Sequence, residues 1–150
     1  QWGSSLESQI DSWFKPLAYA LILLIADGYP CIFYGDYYGV GGKESPHRWV
    51  IEKLLYARKN YAYGKQINYF DEPNLIGMVR TGDEEHPGSG LVMLLSNHLA
   101  GTKKINIGKE HAGEIWYEIT ENIEEEISID ENGEAEFMVN AGKAAVWVKK

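Results

Sequence analysis

The chain has one cysteine, Cys31, so no internal disulfide can staple it, and its fold has to be held by packing and hydrogen bonds. A lone cysteine leans towards a reducing compartment without excluding export of a disulfide-free protein. Positive charge is scarce. Fourteen Lys and Arg face twenty-two Asp and Glu, giving a net charge of -8, and the basic residues do not cluster. Affinity for a phosphate backbone needs clustered cations, so no nucleic-acid partner is expected. Long apolar runs are missing too: the stretch from Leu17 to Ala26 falls well short of the ~18 residues of a membrane span. The four histidines, His47, His86, His98 and His111, form no pair at zinc-ligand spacing, and neither a nucleophile elbow nor a phosphate loop occurs. Gln1-Trp2-Gly3 brings neither an initiator Met nor a signal sequence, and we expect the chain to start inside a longer product.

Aromatic residues are abundant, at 13% with ten Tyr and five Trp. They supply large buried surfaces, and also the flat faces on which sugars stack. Ser4 with Glu7 has the spacing of a capping box, and Ile10, Trp13, Leu17, Leu21 and Leu24 recur at helical spacing. Pro16 interrupts that helix, predicting a kink or a restart capped by Ser12, and Gly28 supplies its end. Cys31-Ile32-Phe33-Tyr34, between Pro30 and Gly35, reads as a strand buried on both faces that needs parallel neighbours. A Tyr- and Gly-rich loop follows, then Ser45-Pro46 as cap and first position of a second helix. Val50, Leu54, Ala57 and Tyr61 mark its buried face and Gly64 its stop.

Beyond Lys65 the period changes to short runs broken by turn residues. Strands are predicted over 67–70, 75–80, 91–96, 104–107, 115–119, 126–129, 134–139 and 144–148, with turns at Asp130 to Gly133 and Asn140 to Gly142. The pattern is that of an antiparallel sandwich. One parallel strand with two helices cannot close a core, so the first sixty-odd residues read as the end of something larger.

Gly28-Tyr29-Pro30-Cys31-Ile32-Phe33-Tyr34-Gly35-Asp36 resembles the Gly-x-Pro-x-x-Phe-Tyr-Gly-Asp segment of the eighth barrel strand in the α-amylase family of glycoside hydrolases. Trp13 to Ala20, Ala57 to Gly64 and Ala112 to Thr120 are similar, in order and spacing, to segments of bacterial α-amylases, so the resemblance covers essentially the whole chain. It implies an α/β plus all-β chain. Residues 1–64 would end a (β/α)8 TIM barrel, and residues 65–150 would form the antiparallel Greek-key β-sandwich called domain C.

The activity implied is retaining hydrolysis of α-1,4-glucosidic bonds in starch and maltooligosaccharides, with the remainder of the barrel as partner. The family's carboxylates follow strands four, five and seven, none of them in this chain, so no residue here is expected to be catalytic. Gln1 matches the residue after the family's Asn-His-Asp-Thr segment. With Trp2, Tyr34, Gly35 and Asp36 it is a candidate for the substrate cleft, since barrel chemistry gathers at strand ends. Asp36 is expected to hydrogen-bond loop amides, and Trp13, Trp49, Trp116 and Trp147 to be core. Calcium is implied for the parent enzyme. Asn74 and Asn97 match its acidic ligands in relatives but lack their charge, so a tight site within this chain is doubtful. The run Glu124-Glu125-Glu126 reads as a solvated edge. Rival readings are transglycosylation or maltogenic cleavage within the superfamily, and a non-catalytic carbohydrate-binding module.

Overall fold

The computed structural model describes residues 10–150; the Ser4 and Glu7 capping box and the candidates Gln1 and Trp2 lie outside them. Three helices come first: α1 (Lys15–Leu24), α2 (Tyr34–Tyr38) and α3 (Arg48–Asn60). Eight strands follow: β1 (Gln66–Glu72), β2 (Leu75–Arg80), β3 (Leu91–Ser96), β4 (Gly101–Asn106), β5 (Ile115–Glu118), β6 (Ile127–Ser128), β7 (Glu134–Val139) and β8 (Ala144–Lys149). All eight expected strands form, with ends moved by up to three residues.

Strand alternation sorts the strands into layers. Six of them make one antiparallel sheet in the order β1-β2-β3-β8-β5-β6, while β4 pairs with β7 in a second sheet. In the β3–β8 ladder, Val92 opposes Trp147 and Leu94 opposes Ala145, and these side chains face β4 and β7. Their neighbours Leu91, Met93, Leu95, Val146 and Val148 point the other way and pack against Leu17, Leu23, Leu24, Ile51 and Leu54 of α1 and α3. The large sheet is therefore a shared wall, apolar on both faces. That explains why β3 and β8 read as nearly continuous hydrophobic runs.

On the sandwich side, Trp116, Phe137 and Trp147 meet edge to face at centroid separations of 6.1 and 6.0 Å. Each indole N–H donates: Trp147 to the Met138 carbonyl (3.0 Å), Trp116 to Glu114 Oε2 (2.9 Å). Burial of the two rings thus leaves no polar atom stranded. Glu118, also buried, accepts from Thr120 Oγ1 (2.7 Å) and from the amides of Thr120, Asn122 and Val146, which fixes the turn after β5. Glu124, Glu125 and Glu126 are exposed beside the edge strand β6.

The passage from helices to strands is tightly bonded. Gly90 N donates to the Tyr61 carbonyl, Gly82 N to the Tyr63 carbonyl and Thr81 N to the Lys65 carbonyl, all at 2.8 to 3.0 Å. Gly64 holds φ at +78°, and a Cβ there would lie 2.0 Å from the Gly82 carbonyl oxygen, so glycine is required twice over. Arg80 reaches across the joint. It donates to the carbonyls of Leu24 (3.1 Å) and Gly64 (3.0 Å), while Arg58 donates to that of Leu23 (2.6 Å). The last carbonyls of α1, which have no partner within the helix, are thereby satisfied by two guanidinium groups.

Several expectations need correction in the helical part. Residues 31–33 form no strand: their backbone pairs with no other strand and Tyr34 already opens α2, because the parallel neighbours such a strand needs are not among the described residues. Helix α1 restarts with Pro16 in its first turn, but Phe14 is its N-cap residue and Ser12 does not cap it. The helix ends at Leu24, four residues before Gly28. In α3, His47 is the N-cap residue, and Ser45 accepts the His47 amide at 3.1 Å. Trp13 and Trp49 are about half exposed instead of core (51% and 47%), since the sheet covers only the opposite side of the helices.

Candidate functional site

Asp36 is held from two directions by side chains of α1. Lys15 and Tyr19 stand one turn apart on the same helix face. Lys15 Nζ donates to Asp36 Oδ1 at 2.5 Å and the Tyr19 hydroxyl to Oδ2 at 2.7 Å. The Tyr19 oxygen in turn accepts the Phe33 amide at 3.2 Å, and Ser45 donates its hydroxyl to the Asp36 carbonyl. The segment after Pro30 is strapped to α1 in this way. The expectation that Asp36 serves loop amides is thus corrected: its carboxylate takes the two side-chain donors, and the loop is closed through its backbone carbonyl.

Burial pushes the Asp36 carboxyl up, but the hydrogen bonds from Lys15 and Tyr19 outweigh it and hold the group below its ordinary value. Burial, with the bond to Asp36, pushes the Tyr19 hydroxyl up to about 12. Burial also lowers His47, against the opposing pull of Asp36, so the ring is neutral near pH 7. Asp36 is chemically an ionised carboxylate with both oxygens engaged. It has no proton to give, and its partners are a cation and a phenol instead of a second carboxyl.

Of the other candidates, Tyr34 is 71% exposed and leans on Tyr38, their centroids 4.5 Å apart. Gly35 sits where a Cβ would lie 2.7 Å from Phe33 and from Val40 side-chain atoms, so a side chain there would push that short helical turn apart. Asn74 and Asn97 do come together: the Asn97 amide donates to the Asn74 carbonyl at 3.3 Å. Both are exposed and rim an apolar cleft of about 230 Å³ whose walls include Phe14, Leu17, Leu21, Ile76 and Leu95. Two neutral amides against a hydrocarbon wall offer calcium oxygen atoms but no charge, and the residues present do not fit a tight site. No group of three or more His, Cys, Asp or Glu able to hold a metal occurs among the described residues.

Sequence reasoning missed Lys15 and Tyr19 as partners of Asp36, although their four-residue spacing was a usable signal. It also missed a second link. Ser12 Oγ lies 3.0 Å from His47 Nε2, joining the approach to α1 with the start of α3. Elsewhere, buried His111 has Nδ1 2.9 Å from Glu114 Oε2 and Nε2 3.1 Å from the Thr81 carbonyl, and Lys149 donates to Glu114 Oε1 at 2.8 Å. This cluster ties β5 and β8 to the loop after β2.

No family model matches the chain. Over 149 residues, 99% of its length, it is 46% identical to the α-amylase of Geobacillus stearothermophilus, of which it covers 27%. Over 147 residues it is 45% identical to the glucan 1,4-α-maltohexaosidase of Bacillus sp. (strain 707), covering 97% of this chain and 28% of that one. The chain thus spans under a third of the curated relatives it matches. Among solved structures, the α-amylase of Malbranchea cinnamomea superposes on 93% of the chain with a TM-score of 0.69 at 14% identity, matching 33% of that enzyme, which speaks for the fold alone. Identity sustained from end to end, on a sheet arrangement shared with a solved α-amylase, places the chain in the α-amylase family of glycoside hydrolases, as the counterpart of a C-terminal portion of its bacterial members.

Proposed function

We propose that the protein to which this chain belongs hydrolyses α-1,4-glucosidic bonds of starch-like glucans with retention, and that the chain is a structural part of it. Residues 1–64 contribute the end of the catalytic barrel and residues 65–150 form domain C. The observation that carries this reading is the 46% identity to an α-amylase across 149 residues.

Retaining hydrolysis needs two carboxyl groups about 5 Å apart, one ionised to attack the anomeric carbon and one protonated to release the leaving oxygen. Asp36, ionised and spanned by Lys15 and Tyr19, serves neither part; its role is to hold α2, with Tyr34 and Gly35, at the rim of the sugar cleft. No residue of this chain is catalytic in this reading, and calcium in the parent is bound through residues other than Asn74 and Asn97.

The test is hydrolysis of soluble starch. The purified chain should show none, and mixing it with the rest of the barrel should restore turnover. Turnover by the chain alone, lost on Asp36→Asn, would sink the reading. A second reading has its own support in the 45% identity to a maltohexaosidase, whose name specifies a product length. Product analysis of the parent on long maltooligosaccharides separates a narrow maltogenic outcome from random cleavage.

A further inference from the structure

We propose a chemistry for this chain that stands apart from glycoside hydrolysis: Ser12 and His47 form a nucleophile and base pair that hydrolyses small carboxylic esters in a cleft between the helical layer and the sandwich. Ser12 precedes α1 by three residues and His47 is the N-cap residue of α3, places where a polar side chain ordinarily serves the first-turn amides. Neither does so. No side-chain cap bond is made at α1 or α3, and the Ser12 hydroxyl instead meets His47 Nε2 at 3.0 Å. The place of the ring is set through its backbone: the His47 amide donates to Ser45 Oγ at 3.1 Å, and Ser45 donates in turn to the Asp36 carbonyl. A hydroxyl within hydrogen-bond reach of an imidazole that a third residue holds in place is the arrangement of an activated serine.

Burial lowers His47; the Asp36 carboxylate pulls against it and the Lys15 ammonium adds to it, which leaves the ring neutral near pH 7 and able to take a proton. With the ring proton on Nδ1, Nε2 accepts from Ser12, and the Asp36 charge favours the imidazolium that forms on transfer. The cleft supplies the remaining parts. Its volume is about 500 Å³, and Lys143 and Asn122 bring to it an ammonium and an amide, donors for an oxygen that becomes negative. Pro16, Pro46 and Val50 give an apolar wall for the carbon chain of the ester. In a chain of net charge -8 this lining holds no carboxylate, so a developing oxyanion meets no repulsion there. In the reaction Ser12 Oγ bonds to the ester carbonyl carbon and its proton passes to Nε2; the bond to the alcohol oxygen then breaks as that oxygen takes the proton. Water repeats the sequence: its oxygen bonds to the acyl carbon, its proton travels through Nε2 to the departing Ser12 oxygen, and a carboxylic acid leaves.

The test is release of p-nitrophenol from p-nitrophenyl acetate by the 150-residue chain, measured against free imidazole at the same concentration. Turnover above imidazole is expected, falling about a hundredfold in Ser12→Ala and in His47→Gln. His98→Gln, at an exposed histidine outside the cleft, should match the parent chain. The rate should rise with pH and level off by about pH 7, since His47 is lowered from its ordinary 6.5. Phenylmethylsulfonyl fluoride should place one sulfonyl group on Ser12 of the parent chain, read by peptide mass, and none on His47→Gln. Ser12 is exposed and His47 half-buried, so the variants keep the fold, and circular dichroism checks this directly. Rates no higher than imidazole, rates untouched by Ser12→Ala, or an acyl or sulfonyl group found on another residue instead of Ser12 overturn the inference. Starch hydrolysis is read in a separate assay, so failure of ester cleavage leaves the proposed function standing, and failure of starch hydrolysis leaves this pair standing.

Discussion

The two faces of the six-stranded sheet have opposite fates. On the sandwich side, Trp116, Phe137 and Trp147 are sealed by β4 and β7, and every strand of that layer finds a partner. On the helical side, α1 and α3 cover the sheet but are themselves uncovered. Of the fifteen large hydrophobic residues exposed among those described, eleven lie between Ile10 and Tyr56. The difference teaches that one half of the chain completes its own core, and the other half completes only the side turned towards the sheet.

The sharpest way to break that contrast is to damage the closed side. Trp147→Ala is expected to cost about 3 to 5 kcal/mol, because strands on either side prevent the cavity from collapsing. A urea midpoint unchanged from the parent chain would show that the sandwich core is not the main source of stability. Next in size is Arg80→Met, which keeps the volume and removes the donors to Leu24 and Gly64. It should cost about 2 kcal/mol, the loss of charged hydrogen bonds to buried carbonyls. Amide exchange should accelerate in α1 and stay slow in β4 and β7; equal acceleration in both would mean the layers unfold as one.

A smaller effect distinguishes the strap on α1. The folded pKa of Asp36 lies below its ordinary 3.8, so its ion pair adds stability above that pH and loses it as the pH falls through the folded value. Screened at its partly solvated position, the contribution should be below about 1 kcal/mol. Asp36→Asn should lower stability near pH 7 and converge with the parent chain once the pH has fallen below the folded value of Asp36. A constant difference across that range would remove the ion pair from the account. The smallest change expected is in Tyr29→Ala, at a fully exposed residue: under about 0.5 kcal/mol in the chain, read by thermal melting.

The same asymmetry governs how much could be read from the sequence. Strands β2, β3 and β7 match their predicted limits because both walls of their core lie within the chain, so the alternation of residues reports a burial that is fulfilled locally. Trp147 was legible for that reason. Cys31-Ile32-Phe33-Tyr34 has the composition of a buried parallel strand, yet a strand is defined by neighbours, and it lies unpaired with Phe33 and Tyr34 exposed. Trp13 and Trp49 failed in the same way, since a large apolar side chain beside or within a helix does not say which partner covers it. At the candidate site the strand-end position of Asp36 was readable. Its partners Lys15 and Tyr19 carried only the signal of their four-residue spacing, because they lie seventeen and more residues away, on another helix.

The bonded joint around Gly64 bears on how such a chain can be cut and rejoined. Residues 61–65 are zipped to residues 81, 82 and 90, so the place where composition changes is not a hinge. A crossover at Gly64 that grafted this sandwich onto an unrelated helical partner would separate Tyr61, Tyr63 and Arg80 from the carbonyls and amides they serve. Functional recombinants should carry residues 61–65 together with the sandwich, which makes the exchangeable module longer than the run of strands alone.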